Sequence, residues 1–376
     1  MTIYVDVSSA VHAKAGLKRY TENLVRELGP LLGERLHLFQ NSLGRRGPLL
    51  GWEEHPTVGV RHGYRTWRAL VLLRQALHWP MGNLLPDASL FHATEHLLPP
   101  LGRIPTVLTV HDLIFERYPK YHKMMNYLYL RTAMPLYCRR ATAIIAVSQS
   151  TRGDIVDLYN IPPKKITVIP EAADPNFRPQ PAERIKAVRR RYGLPSRYLL
   201  AVGTIEPRKN LSRLADACSP LFAQDLVDAL VLVGSKGWLY KDFFRHLESL
   251  PWRDRILRTG FVQEQDLPAV YAGALLTVQP SLYEGFGLPV LEAMACGCPV
   301  CASDTSSLPE VGGQAARYFD PQDTEEMTHC IGHVLRHPHL RQEMAKKSLV
   351  RARTFSWKST ARQTLNLYRR VMDSSI

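Results

Sequence analysis

The sequence has no long apolar run: nothing in its 376 residues approaches the roughly 18 consecutive apolar side chains that cross a bilayer. It shows no basic-then-apolar leader either, opening on Thr2-Ile-Tyr-Val-Asp-Val7, which reads as a strand. Cysteine is scarce, six in all, which excludes a disulfide scaffold. Three of the six bunch at Cys296, Cys298 and Cys301, but no second CxxC and no nearby His completes the four ligands of a zinc site. These absences predict a reduced, cytoplasmic protein. Internal repeats and low-complexity tracts are also lacking. An apolar fraction of 45% with 22% charged residues excludes a largely disordered chain.

Charge of one sign is in excess. Lys and Arg number 48 against 34 acidic residues, a net of +14 that points to an anionic partner. The excess divides evenly between the halves, so no basic tail marks a nucleic-acid arm, and no nucleic-acid reader motif is present. Two stretches concentrate it. Residues 61–80 carry Arg61, Arg65, Arg68 and Arg74 with Tyr64, Trp67 and Trp79, and no acid. Residues 117–140 carry six bases and five tyrosines, again without an acid. Basic and aromatic residues interleaved at helical spacing suit a helix on an anionic membrane surface, and equally a solvated helix with a buried aromatic face.

Short apolar runs rich in β-branched residues alternate with amphipathic stretches almost throughout. Strands are predicted at 2–7, 35–40, 88–92, 105–110, 142–147, 198–203, 229–234, 275–279 and 299–302, and helices at 17–28, 122–139, 209–217, 240–249 and 288–296. This alternation predicts an α/β protein with parallel sheets covered by helices. Four prolines between Ile169 and Ala182 mark 171–183 as a linker between a domain at 1–170 and another at 184–355. Asp323-Thr-Glu-Glu326 reads as a capping box, and Ser356 opens a final amphipathic helix to 376.

In open α/β sheets ligands bind outside the carboxyl ends of the strands, so the residues following each strand carry the functional information. Gly16, before a helix, lets a phosphate approach backbone N–H groups, or simply turns the chain. His111, after Thr106–Val110, titrates near neutrality and can donate to a substrate oxygen, or packs as a structural histidine. Arg208 and Lys209, after Tyr198–Val202, are placed to hold a diphosphate, one by its fork and one as a point charge. The strongest signal is Glu284-Gly-Phe-Gly-Leu-Pro-Val-Leu-Glu292. Gly285 and Gly287 free the backbone and Pro289 suits a first helical turn, so Glu284 falls in a loop and Glu292 about one turn into a helix. The N–H groups between them suit phosphate or sugar hydroxyls. Two carboxylates near a helix start also suit a glycosidase pair, and Glu292 could equally stabilise the helix dipole.

Together these pieces resemble the family 4 retaining glycosyltransferases, which have the GT-B fold, over essentially the full chain. The resemblance rests on Gly16–Tyr20, Thr109–Asp112, Ile145–Ser148, Glu206–Lys209, Gly260–Val262, the Glu284/Glu292 pair and Ala295–Pro299, in that order. It implies two Rossmann-like domains facing across a cleft, the last helix packing back on the N-terminal one. It implies a nucleotide-diphosphate sugar as co-substrate, with no metal and no other cofactor, consistent with the absence of any D-x-D. Arg208, Lys209 and Gly16 would face the diphosphate, and Glu284 with the backbone of Gly285, Phe286, Gly287 and Leu288 the donor sugar. Glu292 would meet the ribose, Phe261 and Val262 the base, and His111 the reacting sugar. One departure stands in the first loop, where Lys18 replaces a glycine frequent in the family. The R-Y loop with His111-Asp-Leu-Ile-Phe115 looks most like GDP-mannose-dependent mannosyltransferases of surface-polysaccharide assembly. The alternative donors are UDP-glucose and UDP-N-acetylglucosamine, the acceptor a sugar or lipid-linked sugar. An epimerase or phosphorylase of the same fold is a further alternative.

Overall fold

The computed structural model describes residues 1–12, 16–42 and 52–374. The chain forms two compact units: Met1–Glu116, Met124–Glu171 and Ser356–Ile376 in the first, Arg117–Lys123 and Ala172–Phe355 in the second.

The first unit holds a parallel sheet of seven described strands: β1 (Thr2–Asp6), β2 (Leu36–Asn41), β3 (Thr57–Val60), β4 (Ala88–Ala93), β5 (Thr106–Val110), β6 (Ala143–Ala146) and β7 (Ile166–Val168), in the order β3-β2-β1-β4-β5-β6-β7. The second holds six, β8 (Tyr198–Val202), β9 (Ala229–Val233), β10 (Ile256–Gly260), β11 (Leu276–Gln279), β12 (Val300–Ser303) and β13 (Arg317–Phe319), in the order β10-β9-β8-β11-β12-β13. Each sheet therefore reverses its winding once, between β1 and β4 and between β8 and β11. Such a reversal splays the connections to opposite faces and opens a crevice at the carboxyl ends of the strands.

Burial follows from this construction. Every residue of β5 and of β9 is buried, because helices cover both faces, and their sequences read as continuous Val/Leu-rich runs. Strands β3, β7, β10 and β13 escaped the sequence reading. They lie at or next to sheet edges, and each is interrupted or shortened, as by Arg258 in β10, so none shows a full apolar run.

Two boundaries differ from the sequence expectation. Glu171, expected to open the linker, is buried against His111 and belongs to the first unit. Arg117–Lys123 belongs to the second unit. The Tyr118 ring stacks on Tyr121 and tilts against Tyr283, its hydroxyl donates to the Leu282 carbonyl, and the Tyr121 carbonyl accepts from the Trp238 indole. The last helix, Trp357–Asp373, packs on the helix Gly16–Leu32, and the Tyr368 hydroxyl meets His92 Nδ1 of β4 at 2.6 Å. Asp323 caps the helix Thr324–Arg336 by accepting from the Glu325 and Glu326 amides. The reciprocal half of the box is absent, since Glu326 accepts from Asp320 instead.

Candidate functional site

The winding reversal of the second sheet brings together the two loops singled out in the sequence. Strand β8 runs into Gly203–Lys209 and β11 into Pro280–Gly287; a pocket between them is lined by Val202, Gly203, Lys209, Gln279 and Pro280. Gly203 has φ +152°, and a side chain there would press on Lys209 Cε at 3.2 Å. Glycine at this turn therefore makes room for the lysine.

Glu284 is the hub. Its Oε1 accepts from Lys209 Nζ at 2.5 Å, Ser281 Oγ at 2.6 Å and Gln279 Nε2 at 2.8 Å, while Oε2 accepts from Arg208 Nη1 at 2.7 Å. Burial alone would raise this carboxyl. The Arg208 and Lys209 charges and the bonds from Lys209 and Ser281 outweigh it and hold Glu284 far below the usual carboxylate range. Lys209 is buried too, and burial with the adjacent Arg208 charge lowers its ammonium despite Glu284. Glu206 completes the group through two bonds from Arg208 to its Oε1, from Nε at 3.0 Å and Nη2 at 2.6 Å.

The loop after Glu284 is pinned from β12's side. Ser307 Oγ donates to the carbonyls of Glu284 and Phe286, and the Glu284 amide donates to Ser306 Oγ. Gly287, at φ +108°, caps the helix Leu288–Ala295, and a side chain there would meet Leu308 at 2.9 Å. Amides at such a helix start lack intrahelical partners, which suits them to an anion or to hydroxyls. Glu292 lies in this helix as expected, only 2% exposed, with the Tyr271 hydroxyl donating to it at 3.0 Å. Of the two residues expected near the base, Phe261 is exposed and Val262 buried.

In the first unit His111 stands at the end of β5, with its ring nitrogens on two acceptors: Nδ1 on Glu171 Oε1 and Nε2 on the Thr94 carbonyl, both at 2.9 Å. Two acceptors demand two N–H donors, so the environment favours the imidazolium. Burial pulls its pKa down, but the Glu171 bond and charge, aided by the Thr94 carbonyl, leave it raised. Both nitrogens are thus committed within the protein, and donation to a substrate requires one of these bonds to exchange. Tyr20 supports the ring edge-on at 4.7 Å, and its hydroxyl meets Thr109 Oγ1.

Gly16 stands where the amphipathic helix was expected to start, within one residue. It is the first described residue of the helix Gly16–Leu32, and Lys18 two residues on lies 3.7 Å from Glu22. Sequence reasoning gave no role to Glu206, Glu171, Gln279, Ser281, Ser306 or Ser307. Glu206 had a signal, two residues ahead of Arg208; Glu171 had none, lying 60 residues from its partner. Cys296, Cys298 and Cys301 are all buried, and among the described residues no three His, Cys, Asp or Glu side chains are grouped to hold a metal.

The winding reversal thus carries a largely buried Glu–Arg–Lys cluster beside a glycine-capped helix, and the chain has relatives of known kind. Residues 15–177 match Glycosyltransferase Family 4 and residues 185–350 match Glycosyl transferases group 1. The O-antigen chain mannosyltransferase B of Escherichia coli is 34% identical over 265 residues, 70% of each chain. The chain belongs to the family 4 glycosyltransferases. The serotype-specific mannosyltransferase WbdA of Escherichia coli is 33% identical over 291 residues, which cover 73% of this chain but 35% of that protein. Among solved structures, sucrose-phosphate synthase of Thermosynechococcus elongatus superposes over 100% of both chains with a TM-score of 0.79 at 21% identity. Anabaena HepE in complex with UDP-glucose gives 0.75 at 20% identity, over 98% of this chain and 99% of that one. At these identities the likeness shows the GT-B fold alone. The chain is thus a glycosyltransferase, and its site residues can be tested as such.

The first test concerns His111. A folded pKa above the unfolded value contributes stability that is present at low pH and fades as pH rises through the folded value. Glu171→Gln should therefore cost up to about 1.5–3 kcal/mol on the acid side of neutrality, the worth of a hydrogen bond to a charged group, because the amide oxygen still accepts from Nδ1 but carries no charge; in alkali it should cost less. It should also lower the His111 pKa, since burial is then opposed by the Thr94 carbonyl and Asp112 without the Glu171 charge. Urea titrations at two pH values and NMR of the ring nitrogens check this; an unmoved His111 titration rules the pairing out.

Proposed function

We propose that the chain transfers mannose from GDP-mannose to an acceptor hydroxyl in the assembly of a surface polysaccharide or glycolipid. The pair of half-buried Arg208 and buried Lys209 at the winding reversal carries the donor half of this reading, because two cations beside a helix start match a diphosphate. The mannosyltransferase relatives support the sugar.

In this reading the acceptor oxygen attacks the anomeric carbon from the face the diphosphate leaves. The bond from that carbon to the phosphate oxygen breaks, the glycosidic bond forms with retention, and the acceptor proton passes to the departing diphosphate. Arg208 and Lys209 neutralise the leaving charge, a task the chain assigns to cations and helix amides instead of a metal, so transfer should persist in EDTA. Donor-sugar hydroxyls meet the Gly285–Leu288 backbone and Glu284, the ribose meets Glu292, and the base lies near Phe261 and Val262.

Thermal unfolding with GDP-mannose, UDP-glucose, UDP-N-acetylglucosamine and bare GDP and UDP tests the donor. At 100 times its dissociation constant a ligand adds about 2.7 kcal/mol, enough to move the melting point visibly. Shifts with guanosine compounds are expected. Shifts with uridine compounds alone would replace mannose by glucose or N-acetylglucosamine as the reading, and shifts with none would reject the donor site.

The acceptor side, in this proposal, works at an anionic lipid surface on the cytoplasmic side. Among the described residues no helix is long and apolar enough to cross a membrane. The helices Tyr64–Ala76 and Met124–Arg140 of the first unit lie in contact, joined by the Arg68–Asn126 bond and by Arg68 over the Tyr129 ring. Tyr64, Leu73, Leu77, Trp79, Met124, Met125 and Leu128 are exposed on and beside them, near Arg61, Arg65 and Arg131. Trp67 and Tyr137, by contrast, are buried, and Arg117–Lys123 packs within the second unit, so the lipid-facing set is narrower than the sequence implied. Replacing Arg61, Arg65 and Arg131 by Glu should abolish co-sedimentation with phosphatidylglycerol vesicles at physiological salt, each lost cation weakening binding by about 1 kcal/mol. Undiminished sedimentation would reject the patch.

A further inference from the structure

Arg208 is shared between two carboxylates that hold it unequally. Glu284 is fixed by Lys209, Gln279 and Ser281 as well as by Arg208. The Glu206 carboxylate is held by Arg208 alone, through Oε1; its Oε2 is buried and accepts no hydrogen bond, although the side chain is only 2% exposed. The guanidinium edge on Glu206, Nε with Nη2, is a fork of the kind that grips a phosphate. The other amino group, Nη1, is taken by the Tyr283 carbonyl and Glu284. Two cations and two anions leave the cluster with no net charge, so an incoming diphosphate finds its best arginine edge already occupied by an anion.

We propose that Glu206 is a positioning residue: it holds Arg208 in the unliganded enzyme, is displaced from it by the donor diphosphate, and takes up a proton when released. The inference rests on the donor reading above. In the exchange Arg208 trades one anion for another and no covalent bond changes. The freed carboxylate accepts one proton from solvent to become a neutral acid. Of the two carboxylates Glu206 is the one to leave, since it has one partner where Glu284 has four.

Arg208 is the counter-ion hydrogen-bonded to it, and Lys209 adds a weaker charge without a bond. On its own loop Glu206 faces Arg208 and Lys209, and from the β11 loop it faces Glu284. The neighbouring loop presents Gly237, where a side chain would come within 3.5 Å of Glu206 Cβ, and Lys236 there lies over the Tyr240 and Phe244 rings. Burial already raises the Glu206 carboxyl; Arg208 and Lys209 oppose this and Glu284 adds to it. Removing Arg208 removes the largest opposing charge.

Calorimetric titration of the enzyme with GDP-mannose, a diphosphate diester that does not itself titrate near neutrality, tests the exchange. In buffers of different ionisation enthalpy the observed heat should reveal uptake approaching one proton, and affinity should fall by up to about tenfold per unit rise in pH. In Glu206→Gln the heat should be independent of buffer and the affinity flat with pH. The amide oxygen still accepts from Arg208, so a purely structural role would change the melting point and leave the proton count as in the parent. Saturable binding by the unaltered enzyme with equal heat in every buffer overturns the exchange and leaves the donor reading standing, even where the variant fails to fold. Equal proton uptake in a folded Glu206→Gln also overturns it. No binding of GDP-mannose or UDP-glucose overturns the donor reading and the exchange with it.

Discussion

Lys209→Ala is expected to lower turnover by roughly 10²–10³-fold, the scale lost when one preorganised stabilising group is removed. The Lys209 ammonium is buried at the pocket between β8 and β11, so its charge is poorly screened by water. Its loss leaves Glu284 with Arg208, Gln279 and Ser281, enough to keep that carboxylate ionised and the loop folded. The effect should therefore appear in kcat and kcat/KM alike, as it does for a group that acts on the departing phosphate more than on the bound donor. A rise in KM with kcat unchanged would instead make Lys209 a binding residue. Lys209→Arg should not rescue, because a planar, delocalised head does not reproduce the compact ammonium that meets Glu284 Oε1 at 2.5 Å. Steady-state rates within twofold of the parent would remove Lys209 from the mechanism.

The two loops of the candidate site were legible because their chemistry is local. Glycine and proline punctuate Gly203–Asn210 and Glu284–Pro289, each loop follows an apolar strand, and charged residues in such loops have few structural uses. The order of strands that makes these two loops neighbours was not legible, nor was Glu284's grip on both cations. Of the four side chains that bind Glu284, the two cations lie 75 and 76 positions away, and such contacts leave no period in a sequence. His111 shows the same limit more sharply. Its position at a strand end was visible, yet its charge state is set by Glu171, which the proline-rich composition around it had assigned to a linker. Arg117–Lys123 was misread for the converse reason. Its bases and tyrosines fit a surface helix locally, while Tyr283 and Trp238, far away in the chain, claim the Tyr118 ring and the Tyr121 carbonyl.

Glu284→Ala should abolish detectable transfer and, unlike Lys209→Ala, should also destabilise the fold by about 3–5 kcal/mol, the range for removing one partner of a buried ion pair. Two cations would lose their shared anion, leaving Glu206, bonded to Arg208 only, as the remaining carboxylate of the cluster. Glu284→Gln separates charge from shape. The amide can keep the bonds from Ser281 and Arg208, yet it supplies no negative charge, so most of the destabilisation should remain. The sign of the pH dependence follows from the depressed carboxyl. A group whose folded pKa lies below its unfolded one contributes stability above the unfolded value and loses it as pH falls toward the folded one. The gap between the parent and Glu284→Gln should therefore be widest near neutrality and narrow below the ordinary glutamate pKa, as the parent pays the cost of keeping Glu284 charged and the variant does not. Bare GDP should close part of the same gap at neutral pH, because its diphosphate restores an anion beside Arg208 and Lys209. Denaturant titrations across pH, with and without GDP, measure all of this. A stability gap that stays constant with pH would mean that Glu284 acts through packing and not through its charge.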